Sequence, residues 1–194
     1  MIQRLKKSPV TLLFFTLSSL IFLVARLSDP EHIRFLALNN EELPERWYTI
    51  LTHGIVHVEP YHFLLNMAVL LLVGPWVEQL LGKNRYFILI VLCILAGGLS
   101  IVLWREAGIG FSGAGFGLLF YYYLAFPRDK ELFFQLPNVV LPIILFGVSV
   151  IAIVFGLFGS VGHIPHLAGG MAGAICLFLF RSKHGDCLHK KENK

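Results

Sequence analysis

The chain has 194 residues, 56% of them hydrophobic and 14% charged, with a mean hydropathy of +0.72 and a formal net charge of +4. A soluble domain carries about 25% charged residues, so the composition makes the bilayer the natural solvent. The basic residues sit between oily runs rather than on one face, which argues against nucleic acid as a partner.

In chain order, "MIQRLKKSPV" leads into an apolar run that ends near Arg26. No A-x-A-like cleavage site follows it, so it reads as a retained first span. Further apolar windows fall at 60–80, 86–104, 112–126, 138–158 and 164–180, after the first at 9–27. With no period-2 barrel pattern, and with lipid forcing the backbone to satisfy its own hydrogen bonds, the expectation is an all-α membrane protein. It is read as one membrane domain over 1–194, a six-transmembrane-helix bundle. The segment 28–59 holds Trp47, Tyr48 and several acids and is expected at the interface; residues 181–194 form a basic C-terminal tail. Cys93 and Cys176 lie in apolar runs and Cys187 in that tail, so neither a disulfide framework nor a metal site is indicated. No cofactor is expected.

Lys and Arg set the orientation. With the N-terminus inside, Arg4, Lys6, Lys7, Lys83, Arg85, Arg128, Lys130, Arg181, Lys183, Lys190, Lys191 and Lys194 are inside, twelve of the sixteen basic residues. Arg26, Arg34, Arg46 and Arg105 remain outside. Both termini are then cytoplasmic, in a multi-pass protein of the cell (plasma or inner) membrane.

Spans two, four and six run in one direction under this topology. Ser112 lies 15 residues before Pro127, His166 lies 15 before Arg181, and Asn66 lies 17 before Lys83. These separations correspond to about 22 to 26 Å of helix, in a hydrocarbon core of about 30 Å. The three polar residues therefore share a depth below the outer surface, where they can meet in one cavity.

A single serine in a membrane helix is usually structural, because its hydroxyl can bond back to its own helix. A histidine at that depth is costly and points to function. His166 opens "HLAGGMAG", whose Gly169 and Gly173 form a small face one turn below it. Small residues let helices approach closely, so that face can draw His166 toward Ser112 on the glycine-rich fourth span, as a base activating a hydroxyl. His62 and Asn66 in "HFLLNM" are four residues apart and share a helical face. The Asn66 side chain and the Ser112 N–H would supply donors to a developing oxyanion. His53 and His57 precede span two, and interfacial hydrogen bonding is the favoured reading of both; a metal site made from these histidines lacks suitably spaced partners. The G-x-S-x-G elbow of soluble hydrolases needs glycine where this chain has Ala114. Glu59, Glu78 and Glu106 are the nearest acids, with Glu78 toward the inner end, so a Ser–His dyad is more economical than a triad.

"GFSG" at 110–113, "HLAGGMAG" at 166–173, "HFLLN" at 62–66 and "GPWVEQLLG" at 74–82 occur in this order. Together they resemble the rhomboid family of intramembrane serine proteases, over roughly residues 47–180. The resemblance implies a rhomboid-like six-helix bundle, with Ser112 as nucleophile, His166 as general base, and His62, Asn66 and the Ser112 amide at the oxyanion. It implies helix packing through Gly110, Gly113, Gly169, Gly173 and Phe116, and transmembrane protein substrates that enter from the side. Phe116 stands where many bacterial members have a tyrosine stacked on the histidine. The family's Trp-Arg pair of the first outer loop is present only as Arg46–Trp47, reversed. A catalytically dead relative that escorts membrane clients is the second reading, although such relatives usually lose the serine or histidine that this chain keeps. A transporter or channel would need polar residues along the whole depth, whereas the inner halves here are almost wholly apolar.

Overall fold

The structure is a computed structural model, and it describes residues 2–131, 133–157 and 162–180. The basic tail 181–194, with Cys187 and the five inner-side basic residues counted in it, lies outside the described residues, as does position 158 at the end of the fifth apolar window. Eight α-helices are described: α1 (Ile2–Lys6), α2 (Pro9–Leu27), α3 (Thr49–Thr52), α4 (Pro60–Leu81), α5 (Lys83–Leu103), α6 (Ser112–Ala125), α7 (Val140–Phe155) and α8 (His163–Phe180). Four of them, α2, α4, α5 and α8, are long and apolar enough to cross a membrane. The expectation of six spans thus meets four helices of full length, with α6 at 14 residues and α7 at 16. At 1.5 Å per residue those two extend only about 21 and 24 Å.

Local chemistry sets the helix boundaries. Pro9 and Pro60 open α2 and α4, where a proline sacrifices no intrahelical bond. Gly82, at φ +75°, ends α4 and leads straight into α5. That left-handed conformation favours glycine. Two departures from pure helix matter. Residues Pro30–Leu36 form a 3₁₀ helix in the segment expected at the interface, and β1 (Leu38–Asn39) pairs antiparallel with β2 (Ala107–Gly108). The strands satisfy each other's backbone groups, and Asn40 Nδ2 adds bonds to the carbonyls of Ile101 and Glu106. The segment between α2 and α3 is thereby fastened to the segment leading into Ser112. Two-residue strands carry too little alternation to be visible in a sequence.

The core is a layer of α4, α5 and α6 side chains: Leu70, Val77, Tyr86, Leu89, Ile90, Leu118 and Tyr121 are all fully buried. On α7, by contrast, Pro142, Ser149 and Ala152 are the buried residues, and Ile143, Val154 and Phe155 face outward. Such surfaces suit lipid, and the chain is an integral membrane protein.

Glu78 solves a problem set by the N-terminus of α2. The first N–H groups of a helix lack intrahelical partners, and α2 starts inside the protein. Glu78 Oε1 accepts from Val10 N (2.9 Å), and Oε2 accepts from both Thr11 N and Thr11 Oγ1 (2.8 Å each). Thr11 Oγ1 and the Tyr86 hydroxyl lie 3.1 Å apart and share a hydrogen bond. A carboxylate at a helix N-terminus is also favoured by the helix dipole. Only 3% of Glu78 is exposed, so this is a buried clamp between α2 and α4 rather than a surface pair. Replacing Glu78 with alanine is expected to strand these donors and cost about 2–4 kcal/mol, read as earlier unfolding of the purified variant in detergent.

Candidate active site

A cavity of about 610 Å³ opens among the ends of α4, α6 and α8 and the β1–β2 pair, and Ser112, His166 and His62 all line it. Ser112 is the first residue of α6 and His166 lies in the first turn of α8. Each is held by the backbone around it.

The approach to Ser112 is fixed at three points. β2 holds Ala107 and Gly108, Gly110 N donates to the His53 carbonyl (2.8 Å), and Phe111 N donates to His57 Nε2 (3.2 Å). The Phe111 side chain is fully buried, its ring centroid 5.8 Å from that of Phe14. Gly110 sits at φ +118° with the His62 ring so close that a Cβ there would collide with it. The sequence assigned Gly110 to helix packing. Its place is instead in the loop before α6, where a left-handed turn passes beneath an imidazole.

Helices α6 and α8 meet backbone to backbone. A Cβ on Gly169 would overlap the Gly113 backbone, one on Gly173 would overlap the Gly117 backbone, and one on Gly113 would lie 3.3 Å from the Pro165 carbonyl oxygen. Ser112 adjoins Gly113 and His166 adjoins Pro165, so the two functional candidates flank the closest approach of the helices. Phe116, one turn below Ser112, stacks on His166 at 4.3 Å with 10° between the ring planes. The ring pair therefore forms with phenylalanine at this position. Ser112 and His166 share the cavity without a hydrogen bond between them; such bonds commonly close only when substrate is bound.

His62 reaches the cavity, its ring T-shaped against His57 at 5.2 Å. Asn66 does not line the cavity: it is 5% exposed, its Nδ2 donates to the His62 carbonyl (2.8 Å), and its Oδ1 lies 3.8 Å from where a Gly115 side chain would start. It packs against α6 at Gly115, so the three polar side chains do not all meet in one space. Glu59 and Glu106 line the cavity, but neither is hydrogen-bonded to His166. Among the described residues no three His, Cys, Asp or Glu side chains converge on a metal position.

His53 and His57 carry more of the site than interfacial hydrogen bonding suggested. They are 4% and 0% exposed, and the two backbone N–H groups immediately before Ser112 are held by the His53 main-chain carbonyl and the His57 ring. Their four-residue spacing was visible in the sequence; their partners are backbone groups more than fifty residues away, which no local pattern encodes.

A membrane protein with several apolar spans, and with a serine and a histidine lining one open cavity, defines a narrow class. Residues 44–183 match the family model described as the Rhomboid domain, and the chain belongs to the rhomboid family. It is similar to the "Rhomboid protease GlpG" of Haemophilus influenzae, at 26% identity over 181 residues, covering 90% of this chain and 92% of that one. A "Rhomboid protease GlpG" from Pectobacterium atrosepticum is 23% identical over 89% of this chain, which spans 63% of that protein's length. The human "Inactive rhomboid protein 2" is 26% identical over 147 residues, covering 73% of this chain and 16% of that one.

Burial lowers the pKa of both His53 and His57 from 6.5 to about 4, with His62 adding to the effect at His57. The folded state thus binds fewer protons than the unfolded chain, in which these groups titrate near 6.5. Their contribution to stability is complete above that pH and is lost as pH falls toward 4. Melting temperatures in detergent are expected to fall across this window, and His57→Gln, which removes one titrating group, is expected to flatten the fall.

Proposed function

We propose that this chain is an intramembrane serine protease that hydrolyses peptide bonds in or near transmembrane segments of membrane proteins through a Ser112–His166 dyad. What carries the reading is the glycine contact of α6 with α8, which sets Ser112 and His166 at one cavity, together with the relatives named as proteases. Ser112 Oγ attacks the scissile carbonyl carbon while an unprotonated ring nitrogen of His166 takes its proton. The tetrahedral oxyanion forms beside the start of α6, whose first N–H groups have no intrahelical acceptors. His62 reaches the same space from α4, and Asn66, one turn along that helix, packs its amide against the Gly115 position of α6. Collapse expels the amine, which takes the proton from His166. A water entering through the cavity then deacylates Ser112, with His166 again accepting and returning a proton. Phe116 holds the imidazole in plane through both halves.

In this reading the chain is a single membrane domain of six spans, with α6 and α7 as its short ones. Both termini are cytoplasmic, in the plasma or inner membrane, and the cavity opens outward. A span shorter than the hydrocarbon thickness is accommodated by thinning the bilayer or by its neighbours. The similarity to a protein named inactive favours a second reading, a client-binding relative without catalysis. The presence of Ser112, His166 and the His166–Phe116 stack supports the first.

Purified protein incubated with a panel of single-span substrates separates the two. Ser112→Ala and His166→Ala are each expected to abolish product while the protein still purifies as folded, because members of such a unit fail together. Substantial cleavage by either variant contradicts the dyad. Asn66→Ala is expected to lower kcat by about tenfold to a hundredfold with little change in KM. An unchanged kcat would contradict any part for Asn66 in turnover.

A further inference from the structure

The cavity holding Ser112 and His166 is also lined by two acidic side chains, and Glu59 is solvent-exposed. We infer that the preferred substrates carry Lys or Arg within about six residues of the scissile bond on its outer side, held by Glu59 and Glu106. This rests on the protease reading and names the substrate feature that the cavity mouth selects.

The charge balance at the mouth points this way. Arg34, Glu59 and Glu106 line the cavity. Arg34 is already engaged, with Nη1 3.3 Å from Glu31 and Nη2 3.2 Å from Glu42, and Glu42 lies 2.6 Å from Arg46. Two cations and two carboxylates cancel there. Glu59 and Glu106 make no ion pair and no side-chain hydrogen bond among the described residues, which leaves two uncompensated negative charges. Arg105, next to Glu106, is not part of the lining and forms no ion pair among the described residues.

Both acids are tethered close to the reacting groups. Glu59 precedes α4 and stands three residues before His62; Glu106 stands six before Ser112. Six extended residues span at most about 20 Å, so Glu106 stands no farther than that from Ser112, a gap that about six residues of substrate and a long basic side chain bridge. A low-dielectric cleft lined by one sign of charge also raises the local concentration of oppositely charged ligands. The feature discriminates, because membrane proteins concentrate Lys and Arg on the cytoplasmic side, which makes an outer basic flank uncommon.

The test uses the full-length protein in phosphatidylcholine vesicles with one single-span substrate in three forms. Its outer flank carries Lys-Lys, Gln-Gln or Glu-Glu, and initial rates are read by mass spectrometry. Rim charges act mainly on association and are screened by salt. The expected order of kcat/KM is Lys, Gln, Glu, with about a tenfold Lys-to-Glu ratio at low salt, falling to about twofold at 0.5 M. Combining Glu59→Gln with Glu106→Gln should collapse the ratio, and combining Glu59→Lys with Glu106→Lys should invert it. Equal rates for the three substrates in the wild-type protein overturn the inference and leave the protease reading standing, as does a ratio that survives the double Gln variant. Cleavage of none of them by the wild-type protein overturns the protease reading, and the inference falls with it. Binding of the three substrates to Ser112→Ala, followed by fluorescence transfer, should give the same order; no preference there also overturns the inference.

Discussion

The rest of the site depends on two helices touching without side chains between them. Helices α6 and α8 approach so closely that the Gly169 and Gly173 positions have no room for a methyl group against Gly113 and Gly117. Within a bilayer no hydrophobic effect drives apolar helices together, so such contacts rely on close packing. Every position along this seam that lacks a Cβ adds contact area that a leucine would forfeit. The seam also fixes the register of the two helices, and register decides which side chains meet at the cavity. With Gly113 against Pro165, the neighbouring residues Ser112 and His166 are set at the rim of one cavity, and Phe116 meets the His166 ring face on.

The other half of the site is held from outside the helices. Ser112 begins α6, so the N–H groups of Gly110 and Phe111 before it have no helical acceptors. The chain supplies the missing order with His53, His57 and the β1–β2 pair. The buried His57 ring suits this task, because a neutral imidazole can accept from a backbone N–H without the desolvation cost of a charge, while His53 contributes its backbone carbonyl. Glu78 plays the corresponding part at the opposite end of α4, where it receives the N-terminus of α2. Buried polar side chains here serve mainly to satisfy interrupted backbone, which is the constraint that lipid imposes.

Much of this was legible in the sequence. The apolar windows lie within a few residues of α2 and α4 to α8, because apolar length is a strong signal and Pro60, Gly82 and Gly156 punctuate it. Depth arithmetic from charged inner edges put Ser112 and His166 level, and the glycine spacing of "HLAGGMAG" indicated which helix would receive them. What the sequence could not supply were contacts whose partners lie far away in the chain. Phe111 with His57, Leu38 with Gly108 and Glu78 with Thr11 are examples. The depth argument also placed Asn66 at the cavity, whereas its amide turns back to the carbonyl one turn earlier. Residue spacing gives height on a helix but not the direction of a side chain.

The central claim is that the α6–α8 seam makes Ser112 chemically unlike the other serines of the chain. A fluorophosphonate, which reacts with serines whose hydroxyl is deprotonated by a neighbouring base, reads this directly without any substrate. Peptide mapping of the labelled wild-type protein is expected to find the adduct on Ser112, with labelling abolished in His166→Ala and strongly reduced in Gly169→Leu, where the seam must open. Labelling of Ser112 that persists unchanged in His166→Ala, or an intact protein whose Ser112 does not react at all, would contradict the account.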